Sequence, residues 1–216
     1  MIYSGLLENL IYMKIFELGL VLLFLVTANN AAAQLGFRAG LNFSEQEDYV
    51  IGVTSPIVGL NLGLQYKIDL IKGVSIQPEV YFIQKGGKEG YSTPNRRVSG
   101  SIFINYIETA LLLRTDLFGV GKNGNFYLGI TPHYGYAFGG IYRFVDGRKT
   151  SYERLDFDTD GFERLDYGFG GEIGVEFDKI TIGLRYNHGK PNIADDRSRT
   201  QIFNRGLLLG VNYYLK

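Results

Sequence analysis

The 216-residue chain is long enough for one large domain or two small ones. Its 22 Lys and Arg balance 22 Asp and Glu, so no net basic field exists to attract nucleic acid, and the absence of cysteine excludes disulfides, thiolate metal sites and cysteine catalysis. Twenty-nine Gly, 16 Tyr and 15 Phe against 5 Pro exclude collagen-like and disordered chains and point to a β protein with close backbone packing.

The first element is an address. From Met13, MKIFELGLVLLFLVTANNAAAQ carries one Lys, an apolar run Leu18–Val26 preceded by Glu17, and small residues Ala31-Ala32-Ala33 before Gln34. A short positive region, a short apolar region and a small-residue site describe a secretory signal peptide. The run is too short to span a bilayer as a helix, which takes about 20 residues. Residues 1–33 are therefore expected to be a signal peptide, with Met13 as the alternative start, and 34–216 a single exported domain.

From Gln34 onward, side chains alternate with period two. LGFRAGLNFS sets Leu35, Phe37, Ala39, Leu41 and Phe43 on one face, and IVGLNLGLQYKI sets Val58, Leu60, Leu62, Leu64 and Tyr66 against Gly59, Asn61, Gly63 and Gln65. VSIQPEVYFIQK opposes Val74, Ile76, Pro78, Val80 and Phe82 to Ser75, Gln77, Glu79 and Tyr81. In SIFINYIETALLLR the apolar face is Phe103, Ile107, Thr109, Leu111 and Leu113, leaving Glu108 and Arg114 together on the other. NFYLGITPHYGYAFGG is bulky from Phe126 at every second residue, with Tyr127, Gly129, Thr131, His133, Gly135, Ala137 and Gly139 between. RLDYGFGGEIGVEF, ITIGLRYNHG and QIFNRGLLLGVNYYLK repeat the pattern.

These are about eight strands, many reaching the ~9–11 residues that cross a membrane when tilted. DLIKG, FGVGKNG and Asp178-Lys179 are short or intermediate connections. EQEDYVIGVTS, GGKEGYSTPNRRVSG, the stretch around RFVDGRKTSYERLDFDTDGFE, and KPNIADDRSRT are long and polar. Short links at one end and long ones at the other fit a transmembrane antiparallel up-and-down β-barrel, with both termini in the periplasm. The second face decides between lipid and a soluble core. It holds glycine at position after position, which wastes stability in water but leaves room inside a narrow tube. The lumen is thus expected to carry a polar network of Arg38, Glu79, Glu108, Arg114, His133, Glu172, Glu176 and Arg185. Asn61, Gln65 and Gln77 join it. Aromatic residues near strand ends, such as Tyr66, Phe126, Phe177 and Tyr213, fit interfacial girdles. A soluble lipocalin-like barrel or a secreted sandwich would place its apolar residues inside and would not need the loop rhythm.

GFRAGLNFS resembles the opening strand, and YIETALLLR the central strand, of the PorT-like outer-membrane β-barrel family. DYGFGGEIGVEF and ITIGLRYNHG resemble its penultimate strands. Ala110 stands where the family usually has proline, and the chain ends in YYLK rather than in a terminal aromatic. The resemblance implies an integral outer-membrane barrel; family members are mostly without defined activity, and a few are associated with protein secretion. It transfers no functional residues.

Local motifs offer further candidates. Asp156, Asp158 and Asp160, followed by Gly161, match the start of an EF-hand calcium loop, but position 12 is Tyr167 where a bidentate Glu is needed; the alternative is a solvated acidic loop. Glu163 or Asp166 would substitute only with another geometry. His133 suits either acid–base work beside Glu108 or Glu172, or a plain hydrogen-bonded lumen role. His188, expected outward near the rim with Ser198 in the next loop, lacks a nucleophile motif. Asn95–Arg97 with Lys85 and Lys88 make the third connection basic, a surface for lipid phosphates or a solvated loop. The expected function is a non-enzymatic, monomeric outer-membrane barrel, structural or surface-binding through its external loops, without a cofactor other than the calcium candidate. Its expected partners are outer-membrane lipid and lipopolysaccharide. A subunit of an envelope machine such as protein secretion is the alternative, with envelope proteins as partners, and a surface lipid-modifying enzyme a distant third.

Overall fold

The computed structural model describes residues 33–48, 52–93, 96–121, 123–194 and 201–215. Its strands are β1 (Ala33–Asp48), β2 (Gly52–Val53), β3 (Ile57–Ile71), β4 (Val74–Thr93), β5 (Arg96–Val120), β6 (Gly124–Asp146), β7 (Lys149–Arg154), β8 (Leu165–Phe177), β9 (Ile180–Gly189) and β10 (Ile202–Tyr214). Eight of them form a ring in the order β1, β3, β4, β5, β6, β8, β9, β10, and β10 closes on β1 by an unbroken antiparallel ladder from Gly36↔Tyr214 to Asp48↔Ile202. The short β2 pairs with β1, and β7 pairs with β6 beyond the ring.

The wall carries the alternation read from the sequence. Val58, Leu60, Leu62 and Leu64 are exposed on β3 while Asn61 and Gln65 are buried; on β6, Leu128 to Phe138 stand outside and Tyr127 to Ala137 inside. Outward residues such as Ile130 and Phe169 are each 62% exposed, a surface that fits hydrocarbon and not water. Three tight links join the strands at the end where the ring's termini lie: Lys72-Gly73, residues 121–123, and Asp178-Lys179. Gly73 (φ 78°) and Asp178 (φ 49°) take the left-handed conformations these turns require.

Glycines make room for interior tyrosines. A Cβ on Gly174 would meet Tyr127 Oη and the Ile182 carbonyl at 2.5 Å each, and one on Gly36 would meet the Tyr214 ring at 2.9 Å. Gly135 also lies beneath Tyr106, where a Cβ would meet the ring at an ordinary 3.4 Å. The glycine-rich face is thus the negative of an aromatic one.

The structure departs from the sequence reading at the opposite end. The third connection, expected as a long loop, is mostly strand: β4 and β5 stay paired from Val74↔Thr115 to Thr93↔Arg96. Lys85, expected in that loop, points into the lumen, because it keeps the parity of Tyr81 and Ile83. In the fifth connection, β6 continues to Asp146 and folds back as β7. This continuation includes a bulge: Asn105 pairs with Gly139 and Tyr106 with Ala137, leaving Phe138 as the extra residue. The inward side therefore passes from odd residues (Tyr127 to Ala137) to even ones (Gly140, Tyr142). The chain after β7 then turns inward, and Leu155 and Phe157 plug the mouth against Ile83, Ile102, Ile104 and Ala137. An expected polar loop thereby supplies part of an apolar interior.

Gly174→Val is expected to weaken the barrel by about 1–3 kcal/mol, because both Tyr127 and a backbone carbonyl must shift. Gly139→Val, where a Cβ meets nothing within 4 Å, is the control. Loss of the folded band on unheated and progressively heated gels measures the difference; equal melting of the two variants would contradict it.

Candidate functional site

Closing eight strands leaves an interior that side chains alone fill. Charges placed there are removed from water and must find partners, since an unpaired buried charge costs several kcal/mol. Five cations, Arg38, Lys67, Lys85, Arg114 and Arg185, meet five carboxylates, Glu79, Glu108, Asp166, Glu172 and Glu176. Pairing divides them into three groups along the lumen.

The middle group is the most enclosed. Arg185 donates to both oxygens of Glu79 (2.7 and 2.9 Å) and, through Nε, to Glu172 (2.5 Å). Arg38 completes the square, 3.0 Å from Glu79 and 3.6 Å from Glu172. Two guanidiniums thus face two carboxylates from β1, β4, β8 and β9, in the bidentate geometry that makes arginine the cation of choice for a buried pair. Near the tight turns, Glu176 accepts from Lys67 (2.7 Å) and Arg114 (2.6 Å), and Arg114 also reaches Asp116 (2.7 Å). Toward the mouth, Lys85 bridges Glu108 (2.5 Å) and Asp166 (2.9 Å).

Three tyrosines link these groups, and a fourth, Tyr106, braces the group at the mouth. Tyr127 donates to Glu172 (2.6 Å) in the middle while its ring lies 3.9 Å under the Arg114 guanidinium near the turns. Tyr214 joins the same levels, donating to Gln77 (2.7 Å) with Lys67 6.0 Å over its ring. Tyr81 donates to Glu108 (2.5 Å) near the mouth and stacks 5.6 Å from Arg38. Tyr106 accepts from Asn204 (3.3 Å) with Lys85 5.2 Å over its ring. Each satisfies a polar group with its hydroxyl and a cation with its face.

All eight lumen residues expected from the sequence lie inside, and seven of them enter these pairs. The eighth, His133, is buried with neither ring nitrogen on a protein partner. It shares with Lys85, Asn187 and Asn204 a cavity of about 10 Å³, the space of one water molecule. Glu172, one candidate neighbour, belongs to the middle group instead. The sequence reading left Lys67, Lys85, Asp166 and the tyrosines out of the network, although their parity places all of them inward. His188 is half-buried on the outward side of β9, and Ser198 and Asn95 lie outside the described residues.

The acidic loop corrects the calcium reading. Asp160 accepts the Asp156 amide (2.8 Å), and Asp156 accepts the Asp158 amide (3.0 Å), so these carboxylates fold the loop onto itself. Asp166, the substitute ligand, is held by Lys85 in the lumen. Among the described residues, no group of three or more His, Asp or Glu side chains is placed to hold a metal ion.

The chain is similar to several solved proteins over most of their length. Ail, the attachment invasion locus protein of Yersinia pestis, is 12% identical, with a TM-score of 0.42 over 85% of this chain and 99% of that one. Neisserial surface protein A is 12% identical, with a TM-score of 0.45 over 84% and 98%. Outer membrane protein W of E. coli is 11% identical, with a TM-score of 0.35 over 87% and 100%. No curated protein matches the sequence. The family model described as an outer membrane protein beta-barrel domain matches residues 27–193, and with the closed ring, apolar wall and charged interior it makes this chain a member of that family of small outer-membrane barrels.

Proposed function

We propose that the chain is a self-sufficient outer-membrane barrel that meets ligands at the cell surface through its mouth, with the tight turns and both termini in the periplasm and residues 1–33 removed as a signal peptide. The observation that carries this reading is the unequal build of the two ends. Three tight turns close one end, while at the other β4, β5, β6 and β7 continue as a projecting sheet in which residues 146–154 are all exposed. A projection of this length adds little to the wall and serves as a binding surface. The ion-paired lumen and the Leu155–Phe157 plug favour an anchor over a pore.

The second reading is a subunit of an envelope machine, such as the secretion systems implied by the resemblance to PorT-like barrels. It is favoured by β7, which among the described residues pairs only with β6 and so offers an open strand edge to a partner.

Purification of the tagged chain from native membranes in mild detergent separates the two. Recovery alone, as a barrel whose mobility changes on heating, is the expected result; a stoichiometric envelope protein would replace the first reading with the second. In planar bilayers the purified protein is expected to give no stable conductance. Arg185→Met, which leaves Glu79 and Glu172 with Arg38 alone, should lower stability by about 3–5 kcal/mol. A steady ion current through the wild-type protein would overturn the anchor reading.

A further inference from the structure

The projecting sheet has two chemically different faces. Directly paired residues share a face, so the register sorts the side chains into rows. One row is Gly86, Phe103, Ile141 and Arg154; the next is Lys88, Ser101, Arg143 and Tyr152. Tyr142 packs inward on the plug, as does Leu155 after Arg154, so both rows face outward and continue the lipid-facing wall. Their formal charges are all positive: Lys88, Arg143 and Arg154. The carboxylates of this sheet, Glu89, Asp146 and Glu153, have the opposite parity and fall on the inner face. None of the three outward cations has an ion-pair partner among the described residues.

The height of these rows identifies what they meet. On β6, Leu128 to Phe138 cover about 25 Å along the barrel axis at ordinary strand rise and tilt, the height of the apolar band of a small barrel. The band ends in a polar contact on the outer face, Gln84 donating to Asn105 at 3.0 Å, beside the Phe138 bulge. The two cationic rows come next, at the level of lipid headgroups. Arg143 and Arg154 are diagonal neighbours across the β6–β7 ladder, with Cβ atoms about 7 Å apart, a spacing at which two guanidiniums reach one phosphate. Ile141 and Phe103 stand in the row of Arg154, one row below Arg143, for acyl chains, and Tyr152, 63% exposed, has an interfacial aromatic's place.

We infer that the outward face of β4–β5–β6–β7 is a docking site for the phosphorylated headgroup of an outer-leaflet lipid, with Arg143 and Arg154 sharing one phosphate and Lys88 flanking them. The inference rests on the proposed outward orientation of the mouth for the identity of the leaflet. The geometry gives the lipid class; the placement gives the side of the membrane.

The test compares Arg143→Gln/Arg154→Gln with Arg148→Gln/Lys149→Gln, which removes two charges at the hairpin tip, both checked for folding by heat-modifiable mobility. Each is titrated in nanodiscs containing diphosphorylated lipid A or the same lipid with its phosphates removed. The wild-type protein and the tip variant should prefer the phosphorylated lipid, and the Arg143/Arg154 variant should lose roughly tenfold in affinity for it. Equal binding by all three proteins, or equal binding of both lipids by the wild type, would overturn the site. Orientation is read separately with Gly147→Cys, the sole cysteine in the chain, and a membrane-impermeant thiol reagent on intact cells. Labelling supports the outer leaflet; phosphate-dependent binding without labelling would overturn that placement and the proposed orientation, while leaving the arginine pair as a lipid-phosphate site.

Discussion

The width of an eight-stranded ring governs everything else in this molecule. Such a ring encloses a space that side chains alone fill, so its inward positions are shared among glycines, neutral polar and a few aliphatic residues, paired charges and aromatics that span the gap. Soluble proteins bury apolar residues because water surrounds them. Here the outer wall meets hydrocarbon, and the polar residues are the ones enclosed. Their desolvation is tolerable only because five cations and five carboxylates neutralise one another at short range. Packing and electrostatics are therefore the same problem in the lumen: a side chain must both fill a space and complete a pair.

The tyrosines solve both parts at once. A phenol is long enough to cross from one ion-pair group to the next, rigid enough to hold its hydroxyl at a fixed point, and apolar enough along its ring to need no further hydrogen bonds. Tyr127 needs Gly174 beneath its hydroxyl, and Tyr214 needs Gly36 beneath its ring, so the glycines are read correctly only together with the residues that lie over them. At the mouth the same space is filled differently, by Ile83, Ile104, Leu155 and Phe157, because charges there give way to a plug.

Much of this was legible in the sequence, since a period of two is hard to mistake over strands of 10 or more residues. The outward faces from Leu35 to Tyr213 and the inward charges follow from parity alone. What escaped was of two kinds. Composition misled where it was used in place of parity: GGKEGYSTPNRRVSG is polar enough to look like loop, yet on either side of its tip the β4–β5 ladder continues to Thr93↔Arg96, and Lys85 remains in phase with Tyr81. Parity itself was broken by the Phe138 bulge, because one extra residue between Ala137 and Gly139 leaves no compositional mark. The calcium motif failed for a third reason. Spacing that brings carboxylates together in one loop conformation lets them cap their own amides in another, as Asp156 and Asp160 do.

The middle ion square has a consequence for how the barrel is made. Arg38 comes from the first strand, Glu79 from β4, and Glu172 and Arg185 from β8 and β9, so no contiguous half of the sheet contains the whole set. An open sheet would keep Glu172 beside Arg185 across the β8–β9 ladder but hold both short of Arg38 and Glu79 at the moment water is being expelled. Joining β10 to β1 and completing the square are therefore one event, and the seam acts as a latch whose closing energy is concentrated at the last step. A nascent barrel of this design gains little from partial closure, and favours either an open, hydrated sheet or the finished ring.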